Sequence, residues 1–147
     1  MMIRKAQIED CKAILGLINE LAVYERAPEA VTNTVDGLEL TGFGANPIWW
    51  CYVCEINSEI VGFALYYIRY STWKGPRMYL EDLYIKPSYR RQQIGEALFK
   101  TLVDEAKEKK LTGVHWQVLD WNETAISFYK KLSTTFDDEW VNCSIEL

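Results

Sequence analysis

A chain of 147 residues, 49% hydrophobic and 25% charged, can bury one core and is too short for two ordinary domains, so a single domain over residues 1–147 is expected. Its formal net charge of −5 argues against bulk nucleic-acid binding, which works by neutralising phosphates, and suits a cationic partner. No apolar run approaches the ~20 residues that cross a bilayer, and the opening MMIRKAQIED lacks a signal peptide's apolar middle, so a soluble cytoplasmic protein with no membrane or nucleic-acid partner is expected.

In chain order, MIRKA reads as a short opening strand. Cys11, Ile14, Leu15, Ile18, Leu21 and Ala22 then recur at helical spacing and predict an amphipathic helix from about Ile8 to Val23. A short helix follows, capped by Thr34 and weakened by Gly37. IWWCYVCEI and EIVGFALYYIRYS read as strands flanking a tight turn at Asn57-Ser58, and RMYLEDLYIK as the next strand. Cys51 and Cys54 have C-x-x-C spacing, but they fall in a strand, on opposite faces. With only one His and no second pair they read as buried thiols, and no metal is expected. Ile94, Ala97, Leu98, Leu102 and Ala106 share a helix face; GVHWQVLD is a strand, WNETAISFYKKL a helix that Asn122 can cap, and EWVNCSIEL a closing strand. The order β-α-α-β-β-β-α-β-α-β implies an α/β chain with a mixed sheet and helices on its faces.

IKPSYRRQQIGEAL carries the chemistry. Pro87 ends the ladder because it has no N–H to give. A loop leads straight into a helix whose first N–H groups have no internal partners and whose dipole adds positive charge. Arg90 and Arg91 add two full charges, and Gly95 allows close approach to the backbone. That combination suits a phosphate or pyrophosphate.

LYIKPSYRRQQIG resembles the acetyl-CoA-binding motif of the GNAT superfamily of N-acetyltransferases, with Arg90, Gln93 and Gly95 at its first, fourth and sixth positions. The collinear segments ELAVYE, GFGANP, IVGFALYYIRYSTWKG, YLEDLYI and VHWQVLDWNETAISFYKK are similar to the diamine (spermidine/spermine) and thialysine-acetylating branch, over about Ile3 to Lys131. The C-terminal residues resemble that branch poorly. The resemblance implies the GNAT fold, acetyl-CoA as co-substrate, direct transfer to a small amine without an acyl-enzyme, and a homodimer. One departure is Gln93, where the family usually has Gly. If the turn needs positive φ there, a non-Gly residue costs roughly 1–2 kcal/mol.

By the same resemblance, Glu81 helps deprotonate the incoming ammonium and Tyr129 protonates the thiolate of coenzyme A. Free alkylamines have pKa values near 10, so proton removal is a real requirement, and a phenol stays protonated at pH 7 yet can donate. A backbone N–H at Leu83 faces the acetyl carbonyl where a neighbouring strand splays away, and Leu83 and Ile85 pair with the pantetheine arm. Tyr84, Arg90, Arg91, Gln92, Gln93, Ile94, Gly95, Glu96, Asn122, Phe128 and Lys131 complete the expected cofactor contacts. Tyr24, Glu25, Trp73, Asp82 and His115 are expected on the amine side, where acidic and aromatic groups suit a cationic alkyl chain. As neighbours on a strand, Glu81 and Asp82 are expected to face opposite ways. Ser71 stands where the diamine enzymes carry Asp, and Arg69 is close in sequence, so a short diamine or a lysine-like amine is favoured over a long polyamine. The rival readings are a protein lysine or N-terminal acetyltransferase and a catalytically weak acyl-CoA-binding module.

Overall fold

Five strands form one sheet in the order β1-β2-β3-β4-β5, in a computed structural model that describes residues 1–147. The strands are β1 (Met2–Lys5), β2 (Trp50–Ile56), β3 (Glu59–Ser71), β4 (Gly75–Ile85) and β5 (Val114–His115). The first four run antiparallel to their neighbours, and β5 joins β4 in parallel. The helices are α1 (Cys11–Tyr24), α2 (Val35–Phe43), α3 (Ile94–Glu108) and α4 (Glu123–Lys130). The chain divides into two compact units, Met1–Gln117, which holds the whole sheet with α1–α3, and Val118–Leu147, which holds α4.

Local chemistry accounts for most boundaries. Asn57 and Ser58 both adopt positive φ, as a two-residue hairpin requires. Thr34 caps α2 by accepting from the Gly37 N–H at 3.0 Å. Trp49, expected in a strand, instead folds onto α2: its Nε1 donates to Thr41 at 2.9 Å and its ring meets Phe43 edge-on. Alternation along the strands makes two cores. Val53, Phe63, Leu65 and Tyr84 join Ile14 and Leu17 of α1 and Leu38 of α2 on one face. Ala64, Tyr66, Met78 and Leu80 are buried on the other, where α3 supplies Ile94, Leu98 and Leu102.

Three further expectations need correction. The strand GVHWQVLD is only Val114–His115. The closing strand at residues 139–147 does not form; Trp140, Val141 and Ile145 are each more than three-quarters exposed, and no strand pairs with the segment. An alternating pattern needs an edge to pair with, and pattern alone does not supply one. The third concerns Glu81 and Asp82. Leu65 pairs with Asp82, but the next residue, Tyr66, pairs with Leu80, so Glu81 is one extra residue in β4, a β-bulge. The bulge resets the alternation. Asp82 opposes Leu65, and the Glu81 charge acts on the hydroxyl of Tyr67, a side chain two residues from Leu65, so both carboxylates lie on the face that α1 covers.

Candidate active site

The parallel ladder between β4 and β5 covers Met78 and Tyr79, after which β4 continues to Ile85 without a β5 partner. From Leu80 to Ile85, the stretch that includes Leu83, β4 thus has no β5 ladder partner. Leu83 and Ile85 are half-buried along it, and Tyr84 is buried in the α1 core.

The end of β4 runs into the basic loop. Lys86 pairs with Glu59 at 2.6 Å and the Tyr89 hydroxyl donates to the same carboxylate, fastening the base of the loop to β3. Arg90 turns back: its Nε donates to the Ile85 carbonyl at 3.0 Å, and its guanidinium lies over the rings of Tyr24 at 5.2 Å and Tyr84 at 5.4 Å. Arg90 is thus a brace under the loop as well as a charge. Tyr24, expected on the amine side, belongs to that brace. Arg91, Gln92 and Gln93 are exposed. Arg91 and Gln93 both have φ of 62°, so Gln93 does occupy a left-handed position that favours Gly. Gln93 is the N-cap of α3 and makes no side-chain cap, so the N–H groups of Ile94, Gly95 and Glu96 face the loop with no side chain of the cap to meet them. This chemistry fits a pyrophosphate, with the stretch of β4 beyond its β5 ladder leading away from it.

On the α1 face, three carboxylates converge. Burial first, then the charges of Glu81 and Glu25, push Asp82 up to about 7. Glu25, which ends α1, is raised by burial. Glu81 is exposed; burial first and then the Glu81 charge raise Tyr67 to about 12. The rings of Tyr67 and Tyr79 lie 5.2 Å apart. Neither tyrosine was expected at the site, although YYIRY and YLED place both on the odd positions that share its face. His115 pairs in register with Tyr79, and its pKa is lowered by burial, then by Arg77, Arg69 and Lys74. Trp73 is not brought to this group. It is 84% exposed at the tip of the β3–β4 hairpin, and β4 begins, at Gly75, six residues before Glu81, a span of roughly 20 Å.

In the second unit, Asn122 is buried and caps α4 by accepting from the Ala125 N–H at 3.2 Å. Phe128 and Tyr129 meet at 5.2 Å, Tyr129 is 7% exposed, and Lys131 is the exposed C-cap. Cys11, Cys51 and Cys54 are buried, and burial raises all three thiols above their ordinary range, against any thiolate chemistry there.

Residues 17–133 match the model of the acetyltransferase (GNAT) family. The chain is 44% identical to thialysine N-epsilon-acetyltransferase of Bos taurus over 90% of its length and 82% of the relative's. It is 38% identical to the protein of that name in Mus musculus, over 98% and 91%. A human spermidine/spermine N(1)-acetyltransferase-like protein 1 is 37% identical over 86% of this chain and 19% of that longer one. Among solved structures, an aminoglycoside acetyltransferase from an uncultured soil metagenomic sample superposes with a TM-score of 0.81 at 20% identity, covering 99% of this chain and 95% of the other, a likeness of fold. No helix is long and apolar enough to cross a membrane. The short β4–β5 ladder, the uncapped helix behind a basic loop and the family match over most of the chain agree: the protein belongs to the GNAT family of acetyltransferases.

Proposed function

We propose that this chain is an N-acetyltransferase that uses acetyl-CoA to acetylate the primary amine of a small cationic substrate: a diamine, a polyamine or a lysine-like amino acid. The observation that carries this reading is the convergence of Glu25, Glu81 and Asp82 on one face of the sheet, at the stretch of β4 beyond its β5 ladder. Three carboxylates attract an ammonium, and a carboxyl that titrates near neutral pH can take a proton from it. The thialysine and spermidine/spermine names of the relatives support a cationic acceptor.

Acetyl-CoA supplies the activated acetyl group. The N–H groups at the start of α3, with Arg91, would hold its pyrophosphate, and Arg90 would keep the loop in place from below. Leu83 and Ile85 would align the pantetheine arm. Glu81 and Asp82 would bind the ammonium, with Asp82 Oδ the better poised of the two to hold the released proton. Tyr129 would donate its phenolic proton to the departing thiolate, and Asn122 would combine capping with a contact to the arm. The family resemblance also implies a homodimer, which sedimentation would decide.

The test is acetyl-CoA-dependent thiol release across a panel of amines: diamines, polyamines, lysine-like amino acids, an aminoglycoside and a lysine-containing peptide. Turnover confined to the small amines supports the reading. Preference for the peptide moves the chain to the protein-acetylating reading, and no turnover with clear stabilisation by coenzyme A moves it to a binding module. Tyr129→Phe keeps the ring and loses the proton donor, so turnover is expected to fall about 10²–10⁴-fold while coenzyme A affinity, read by calorimetry, holds.

A further inference from the structure

Two halves of the site meet at the last turn of α1. Glu20 and Tyr24 stand four residues apart, on one side of the helix, and Glu25 follows as its C-cap. Glu20 accepts from the Tyr84 hydroxyl at 3.2 Å. Tyr24 receives the guanidinium of Arg90, 5.2 Å from its ring centroid, and the same guanidinium lies 5.4 Å from the centroid of Tyr84. Asp82 precedes Tyr84 by two residues, so both side chains leave β4 on the α1 face, and the Glu25 charge acts on Asp82 there. The basic loop, through Arg90, and the carboxylates, through Glu25, therefore bear on one helical turn.

The way α1 ends calls for such a hold. The Arg26 N–H donates to the Val23 carbonyl at 3.1 Å and the Ala27 N–H to the Ala22 carbonyl at 2.9 Å, the paired bonds of a Schellman cap. The residue at its left-handed position is Arg26, with φ of 64°, where glycine is the usual occupant because a Cβ is disfavoured. The cap is therefore strained, and residues 26–30 beyond it are all exposed, so no burial of theirs anchors it. Arg90 grips the turn from outside the helix. Its Nε is fixed to the Ile85 carbonyl at 3.0 Å, and its charge sits on an aromatic face beside the negative end of the α1 dipole.

We infer that Tyr24 is a positioning residue: its ring, stacked under Arg90, holds the last turn of α1 so that Glu25 stays beside Asp82. Tyr24 acts through Arg90 on one side and Glu25 on the other. Loss of the ring releases the strained cap, and Glu25 moves toward solvent. The acceptor site then loses one of its three carboxylates, while the loop keeps Arg91 and the N–H groups of α3 for the pyrophosphate. The face of the ring carries the role rather than the hydroxyl, because the ring quadrupole is what meets a guanidinium.

The inference rests on the small-amine reading only in the kinetic arm of its test. Wild type, Tyr24→Leu and Tyr24→Phe are compared. Tyr24 is 36% exposed, so both variants are expected to fold, and melting curves check it. The groups that face Asp82 are Glu81 on its own strand, Glu25 from α1 and, two residues from its partner Leu65 on β3, Tyr67. A carboxyl-carbon NMR titration of Asp82 needs no turnover. With the Glu25 charge withdrawn, Asp82 is expected to titrate about half a pH unit lower in Tyr24→Leu and as in wild type in Tyr24→Phe. At pH 8, with L-lysine and cadaverine as acceptors, Tyr24→Leu is expected to raise the amine KM about fivefold, with kcat and coenzyme A affinity within about twofold, and Tyr24→Phe to keep the wild-type KM. An Asp82 titration unmoved in Tyr24→Leu, or an unchanged amine KM in an active protein, overturns the inference. So does equal impairment in Tyr24→Phe, which puts the role on the hydroxyl, or a coenzyme A affinity that falls as far as KM rises, which makes Tyr24 a brace of the loop alone. No turnover with either amine while Asp82 still shifts overturns the small-amine reading and leaves the positioning role standing.

Discussion

Asp82 holds its proton to about pH 7, largely because burial disfavours the charge, and this has opposite consequences for stability and for rate. The unfolded chain releases that proton near the ordinary value of 3.8, so between about pH 4 and 7 the folded state binds more protons and stability falls as pH rises. Above pH 7 the penalty is present in full. Asp82→Asn is therefore expected to melt above wild type at pH 8, with the gap closing toward pH 4. The same substitution removes the proton acceptor, so the rise of kcat/KM through about pH 7 should disappear from the profile. A limb that survives in the variant would assign the proton to another group. Gln93 offers a second opposition. Its φ of 62° disfavours any residue with a Cβ by roughly 1–2 kcal/mol. Gln93→Gly is expected to raise the melting temperature slightly and to tighten coenzyme A binding or leave it unchanged. A large loss of affinity in calorimetry would mean that the glutamine side chain is itself a ligand.

Between elements, α3 matters most, because its first turn faces the loop and its last turns must hold it still. Glu105 fastens it. Burial opposes the Glu105 charge, yet Lys5, Tyr66 and Tyr52 together bring its pKa below the ordinary value. Lys5 Nζ lies 2.6 Å from the carboxylate and 4.2 Å above the Tyr52 ring, and the Tyr66 hydroxyl donates to the same carboxylate at 2.6 Å. One side chain of α3 thus ties β1, β2 and β3 together across the sheet face. Glu105→Gln keeps the shape and loses the charge under a half-exposed lysine. With that exposure discounted, a cost of about 1–2 kcal/mol, or several degrees of melting temperature, is expected at pH 7. The lowered pKa means the contribution is present above about pH 4.5 and fades as pH falls below it, so the two proteins should converge in acid. Equal melting temperatures at pH 7 would show the network to be decorative. The elements also show where sequence is legible. The caps at Thr34 and Asn122 and the turn at Asn57-Ser58 are local chemistry, and they form as that chemistry predicts. The bulge at Glu81 is not local. YLEDLYI reads as strict alternation, and only the β3 register shows that one residue is extra. The expected strand at residues 139–147 fails for the same reason in reverse, since its pattern is right and no edge receives it.

For the whole molecule, a net charge of −5 favours cationic acceptors without choosing among them; on the proposed reading the choice depends on where charge lies along the sheet face that carries Glu81 and Asp82. Acidic groups gather at one end only, at Glu25, Glu81 and Asp82. A polyamine carries its second and third charges away from that end, toward Arg69 and Arg77. Ser71, farther along β3, offers no carboxylate to meet them; its hydroxyl accepts from the Lys74 N–H at 3.2 Å. Short diamines and lysine-like amines are therefore expected to exceed spermidine, and spermidine to exceed spermine, in kcat/KM. Ser71→Asp adds one negative charge beside the hairpin. A screened ion pair there is worth about 1 kcal/mol at most, so the long-to-short ratio should rise about fivefold and no more. That is enough to reorder neighbours in the series and too little to make spermine the preferred acceptor. The series is best run at low and at physiological salt, because an exposed pair weakens as ionic strength rises. Spermine preferred by wild type, or a ratio that Ser71→Asp does not move at low salt, would mean that the acceptor does not lie along this face of the sheet.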